Sequence, residues 1–251
     1  MSRLIEKTTL VQITSFNRRH DETIENFTFY FPRTLRRVSK FRIISYAIPN
    51  SMYNISDYFN NRKVKFIIDG TTYEYDLEEG YYLGEDAADA LQTLLNQSID
   101  GFTVTLDPNS KKITIEHSTH DFTIVYDPNY LTNEFFGYYS NQVSASKKVK
   151  FSYPVAPIVT QEIQLRANIV KNSIEHQTES SDLLYSFSLA GSSYGDLIQA
   201  TSSLDGIYYE PNSHDISIIH LKLTDSYGRP VGLNEYDYSI TLEFTYFDER
   251  V

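Results

Sequence analysis

The last third of the chain constrains it most, because its apolar residues recur every second position. Ile219, Leu221 and Leu223 alternate with His220, Lys222 and Thr224. Further on, Tyr238, Ile240, Leu242, Phe244 and Tyr246 alternate with Ser239, Thr241, Glu243 and Thr245. A repeat of two places alternate side chains on one face, so each run reads as a strand with one buried and one wet face. Between them lies Asp225-Ser226-Tyr227-Gly228-Arg229-Pro230. It is a turn cluster, since Gly tolerates positive φ and Pro fixes φ and lacks a donor. The two runs are expected to form an antiparallel pair that closes the fold, so truncating the second is expected to unfold the core.

The same alternation recurs upstream. Three early strands are expected at 7–16, 23–31 and 39–48; Phe27, Phe29 and Phe31 share a face in the second, and Pro49 ends the third. Five late strands are expected at 162–170, 183–190, 205–210, 215–224 and 237–247, while 171–182 and 191–203 read as surface loops. Eight alternating strands with long connections make a mainly β chain and suit a single eight-stranded jelly roll, a β-sandwich whose inner faces interdigitate. A different sandwich topology fits the same pattern.

Residues 61–148 have another character. Val64 to Ile68 and Thr72 to Leu77 flank Asp69-Gly70, the pair that a tight type I′ hairpin turn prefers. From Glu85 to Asn96, Ala87, Leu91, Leu94 and Leu95 share one helical face, and Glu85 and Asp86 occupy the first turn, where the helix dipole favours acids. A second hairpin is expected over 102–116 around Asp107-Pro108-Asn109-Ser110, and a further strand over 122–126. The expected organisation is a discontinuous jelly-roll domain, 1–60 and 149–251. Inserted in it is a small α+β domain, 61–148, with one helix near 85–97.

Composition narrows the function. The 251 residues include no cysteine, so disulfides and thiolate sites are excluded. No apolar run reaches the roughly 18 residues that span a bilayer, and the opening residues lack a signal-peptide apolar core. The formal charge is −11, yet residues 1–65 hold twelve Lys and Arg against five Asp and Glu, a local +7 that leaves −18 for the remainder. Such a segment either faces an anionic partner or pairs with acidic strands, in the same sheet or in a neighbouring subunit. The interleaving of its charges with core residues favours such pairing.

Residue sets with chemical potential are few. No serine-hydrolase elbow, phosphate-binding loop or zinc-protease motif is present. His117, His120 and Asp121 could be a metal set, but an i, i+3 pair on a strand points to opposite faces. Glu78 and Glu79 read as a wet turn, and Asp225 as a turn residue that accepts backbone N–H groups. Tyr208-Tyr209 and Tyr81-Tyr82 are candidate aromatic platforms for a carbohydrate-binding or host-attachment module. No catalytic, cofactor-binding or metal-binding residue is assigned, and no enzyme is expected.

Two stretches resemble a known family. The run His220-Leu-Lys-Leu-Thr-Asp-Ser-Tyr-Gly-Arg-Pro-Val-Gly-Leu-Asn234, followed by Tyr236-Asp-Tyr-Ser-Ile-Thr-Leu-Glu-Phe244, is similar to the C-terminal end of the penton-like minor capsid proteins. These belong to virophages, polinton-like viruses and related large double-stranded DNA viruses. A second similarity lies at Ile48-Pro49-Asn50-Ser51-Met52-Tyr53-Asn54-Ile55. The resemblance implies a jelly roll with an insertion, forming a homopentamer at the five-fold vertices of an icosahedral virion assembled inside the host cell. Its neighbours there would be trimers of a double jelly-roll major capsid protein. On this reading Arg33, Arg36 and Arg37 are expected to face the particle interior near packaged DNA.

Overall fold

Nearly every alternating run forms a strand in the computed structural model, which describes residues 4–97, 99–143, 147–156, 162–170, 173–175, 178–201 and 207–249. The first strands are β1 (Leu4–Thr14), β2 (Asn26–Leu35) and β3 (Val38–Pro49). The middle carries β4 (Lys63–Ile68), β5 (Thr71–Asp76), helix α1 (Gly84–Leu95), β6 (Phe102–Leu106), β7 (Ile113–His117), β8 (Phe122–Ile124), helix α2 (Thr132–Phe136), β9 (Gln142–Val143) and β10 (Lys148–Lys150). The last third carries β11 (Glu162–Ala167), β12 (Ser173–Glu175), β13 (Thr178–Ser181), β14 (Leu183–Ser188), β15 (Leu197–Thr201), β16 (Ile216–Thr224) and β17 (Ser239–Glu249). The chain divides into two compact units, Met1–Met52 with Thr160–Val251, and Tyr53–Val159.

The first unit is a β-sandwich of two antiparallel four-stranded sheets, in the orders β1-β17-β3-β15 and β14-β11-β16-β2. One core joins them. Ile13, Phe41, Ile43, Leu242 and Phe244 come from one sheet, and Phe27, Ile163, Leu165, Leu221 and Leu223 from the other. Rings touch across the seam: Phe31 lies 5.9 Å from Phe244, and Tyr46 lies 4.5 Å from Phe187. Each fully buried Phe contributes about 2–3 kcal/mol relative to exposure, so this seam holds the early and late strands together.

Four details differ from the sequence expectation. First, β16 and β17 are not partners. β16 pairs with β11 and β2, whereas β17 pairs with β1 and β3. Alternation reports which face is buried but carries no information about the neighbour in the sheet. Second, β3 changes face midway. Its register against β17 shifts between Ser45 and Ile43, so Phe41 and Ile43 point inward, and then Tyr46 and Ile48 do. One extra residue in a bulge reverses the alternation.

Third, the polar stretch 171–182 contains the hairpin β12–β13. Its backbone pairing needs no apolar side chain, so periodicity cannot reveal it. Fourth, the expected loop 191–203 contains β15, which pairs with β3 from Leu197↔Pro49 to Thr201↔Ser45. The strand expected at 205–210 falls partly outside the described residues. Within them it pairs only at Tyr209, which exchanges two backbone hydrogen bonds with Phe41 at 3.0 and 2.8 Å.

The second unit holds the sheets β5-β4-β8-β9 and β10-β7-β6 with α1 and α2. Ala87, Leu91, Leu94 and Leu95 of α1 are buried, in one core with Phe66, Phe102, Ile115, Phe136 and Phe151. The β4–β5 turn has positive φ at both Asp69 (49°) and Gly70 (77°), the type I′ geometry. The aromatic stretch around Tyr130–Tyr139 contains α2, with Phe135, Phe136 and Tyr138 buried. This unit starts at Tyr53 rather than 61 because Ile55 is buried in its core and exchanges two backbone hydrogen bonds with Gly80. It extends past 148 because Val149, Phe151 and Val155 pack into the same core. Among the described residues no helix is long and apolar enough to cross a membrane.

Candidate functional site

The turn after β16 is built on one carboxylate. Asp225 is fully buried, and its Oδ1 accepts the N–H groups of Tyr227 and Arg229, each at 2.9 Å. Its Oδ2 accepts Arg229 Nε at 2.6 Å. Two backbone donors and a guanidinium satisfy a charge that would otherwise be very unfavourable in an apolar setting. This is the turn role expected from the sequence, with Arg229 as the partner that was not foreseen.

Beyond this turn, the two stretches that carry the family resemblance meet. The Ser51 hydroxyl donates to the Leu233 carbonyl at 2.6 Å, and Asn234 Nδ2 donates to the Ser51 carbonyl. Asn50 Nδ2 donates to the Ser193 carbonyl at 3.0 Å and the Ser192 hydroxyl at 3.1 Å. In the second unit, Asn54 makes a two-way bond with the Tyr82 backbone, 2.8 Å in each direction. Asn50, Ser51 and Asn54 are all buried. The sequence signals for them were their place in the second family-like stretch and, for Asn50 and Ser51, a position directly after a strand-ending Pro.

Several early cations are paired within the fold. Lys7 pairs with Asp248, Arg18 with Asp237 at 3.0 Å, and Arg42 with Glu243 at 2.8 Å. Arg19 lies 3.8 Å over the Tyr30 ring, and Lys40 lies 4.4 Å over Tyr208. These three ion pairs offset part of the segment's +7, and the ring contacts leave the charge in place. Arg33 and Arg36 are exposed at the β2–β3 corner, and their side chains make no ion pair among the described residues. Arg37 has positive φ (57°), and its N–H donates to Asp215 Oδ1 at 3.1 Å.

The remaining sequence candidates separate. His117 and His120 are not on opposite faces, because β7 ends at His117 and the chain turns; their rings lie 5.1 Å apart. His117 is buried, and its Nδ1 accepts the N–H groups of Thr119 and His120 at 3.1 and 2.9 Å. Burial, then His120, pushes its pKa down. His120 pairs with Asp69 at 2.7 Å. Among the described residues no group of three His, Asp or Glu side chains is placed to hold a metal ion.

Glu78 and Glu79 are exposed, and Glu79 accepts the Asp57 N–H at 2.7 Å. Tyr209 stacks on Phe41 at 5.5 Å while Tyr208 faces Lys40 and Arg42, so this pair forms no continuous platform. Tyr81 and Tyr82 are half-buried, and the Tyr82 hydroxyl donates to the Glu78 carbonyl at 2.9 Å. In the second unit, Leu83 to Asp86 with Leu106, Lys111 and Val155 line a cleft of about 430 Å³.

The chain is similar to the mavirus penton protein. The crystal structure of that protein, in selenomethionine-labelled form, matches over 97% of this chain and 100% of its own, with 10% sequence identity and a TM-score of 0.49. No family model and no curated protein matches the sequence.

Proposed function

We propose that this chain is a penton-type capsid protein: a structural vertex subunit that assembles as a homopentamer in an icosahedral virion. Its neighbours would be trimers of a double jelly-roll major capsid protein. The observation that carries this reading is the Ser51–Leu233–Asn234 junction. Two stretches that resemble the penton-like family, 182 residues apart, lock onto each other as one structural feature.

The strand pairing supports a jelly roll as the form of the sandwich. β1 pairs with β17, β2 with β16, β3 with β15 and β11 with β14. These are the nested pairings of an eight-stranded ribbon rolled up on itself. On this reading the second unit is an inserted α+β domain. A five-fold ring is a closed heterologous assembly in which one patch meets a different patch on the next copy. The exposed Arg33 and Arg36 are available to such a contact, or to packaged DNA on the inner surface.

The test is native mass spectrometry of the purified chain, with reconstruction of particles that contain it. A five-subunit ring at the vertices is the expected result. A chain that stays monomeric at all concentrations and never enters a particle overturns the proposal.

A further inference from the structure

We propose that Tyr139 and Tyr153 of the second unit, with Glu134 of the preceding helix α2, form a binding site for a cationic group, an alkylammonium or a guanidinium. Tyr139 is 48% exposed and Tyr153 55% exposed. Their rings lie 5.0 Å apart at 87°, so they form two walls of a corner. Tyr138, the neighbour of Tyr139, and Phe151, two residues before Tyr153, are buried with their rings 4.8 Å apart. The outward tyrosines are thus carried on a packed aromatic base.

The corner depends on one close backbone approach. Tyr153 N–H donates to the Gly137 carbonyl at 3.0 Å. Gly137 has φ of +84°, and a Cβ there would sit 2.4 Å from the Tyr153 carbonyl oxygen. Only Gly lets the two segments come together in this way. Asn141 Oδ1 accepts the Tyr126 N–H at 2.9 Å and ties that residue to the segment after Tyr139. Glu134 stands exposed on α2, with no ion-pair partner among the described residues. The Tyr139 phenol is pushed up by burial first, then by Glu134, Tyr153 and Tyr126, so these groups act on one another.

The chemistry selects the ligand. Tyrosine ring faces carry the negative part of the ring quadrupole and attract a cation within about 6 Å of the centroid. An unpaired carboxylate beside them adds to that attraction and repels anions. Perpendicular walls offer no single flat surface for a sugar ring, whereas a compact cation fits the angle between them. A pair of exposed large aromatics held in fixed geometry is also more than the scatter of single apolar residues found on any surface.

The experiment is an NMR titration of the full-length chain, following the Tyr139 and Tyr153 ring signals. The probes are tetramethylammonium, N-acetyl-arginine amide, sodium chloride at matched ionic strength, and maltohexaose. Saturable shifts with the two cationic probes alone are expected. Glu134→Gln is expected to weaken them roughly fivefold, and Tyr153→Ala to abolish them. Tyr153→Phe keeps a ring and is expected to bind within about twofold of the natural chain, which separates ring loss from misfolding. The proposal is overturned if sodium chloride reproduces the shifts, if Glu134→Gln changes nothing, or if only the sugar saturates.

Discussion

The Ser51 hydroxyl and the Leu233 carbonyl form a 2.6 Å hydrogen bond between residues 182 positions apart, in a site from which solvent is excluded. This bond joins the end of β3 to the connection that leads into β17. Ser51→Ala leaves the Leu233 carbonyl without that donor and is expected to destabilise the sandwich by about 1–2 kcal/mol. Urea unfolding monitored by hydrogen exchange in β17 measures the change. Asn234→Ala should be less than additive with it, because both bonds hold the same junction.

Among the described residues of the first unit, Asp225 is the buried acid. Asp225→Ala removes the acceptor for two backbone donors and for Arg229 Nε, so a loss of about 1–3 kcal/mol is expected. Asp225→Asn keeps an acceptor oxygen for the N–H groups and should be milder. Equal effects from both substitutions, measured by denaturant titration, would show that the charge itself contributes nothing.

Tyr238 presents the opposite case. It is buried between the sheets, its ring 5.9 Å from Phe27, and its hydroxyl has no hydrogen-bond partner among the described residues. Burial, and then Glu25, pushes the phenol far above its ordinary value. Removing an unpartnered buried hydroxyl relieves its desolvation, so Tyr238→Phe is expected to raise stability by about 1 kcal/mol. A lower thermal midpoint for the variant would contradict this.

His117 predicts a pH dependence confined to the second unit. Its pKa lies below the ordinary 6.5, chiefly through burial and then through His120, with Asp69 and Lys147 also acting on it. The unfolded chain therefore binds the proton first. The contribution to stability is complete above the ordinary value and is lost as pH falls toward the folded one. Protection factors in β6 and β7, taken relative to intrinsic exchange at each pH, should fall as pH drops below about 6.5, while those of β17 hold. His117→Asn, which offers a neutral acceptor to the Thr119 and His120 N–H groups, should remove that difference.

The buried face of each long run was legible in the sequence. Ile219, Leu221, Leu223, Ile240, Leu242 and Phe244 point inward as their spacing requires. The Asp69-Gly70 turn and the apolar face of α1 were legible for similar local reasons. β12–β13 was not, because it is held by backbone bonds between polar residues. The Tyr139–Tyr153 corner was not, because it depends on Gly137 bringing together segments whose proximity no local spacing encodes. Likewise, a strand rule separated His117 from His120, while the real chain turns between them.

By itself, the sequence determined which segments extend, which of their faces are apolar, and that early and late strands need a common core. Those properties are local: backbone geometry converts a repeat of two into a one-sided ribbon wherever it occurs. Tertiary structure alone decided that β16 and β17 lie in opposite sheets, that Ser51 meets Leu233, and which late acid each early cation finds. Strand pairing and cross-chain contacts depend on how distant segments share one seam, and the energy that selects among those arrangements appears only when the whole seam closes.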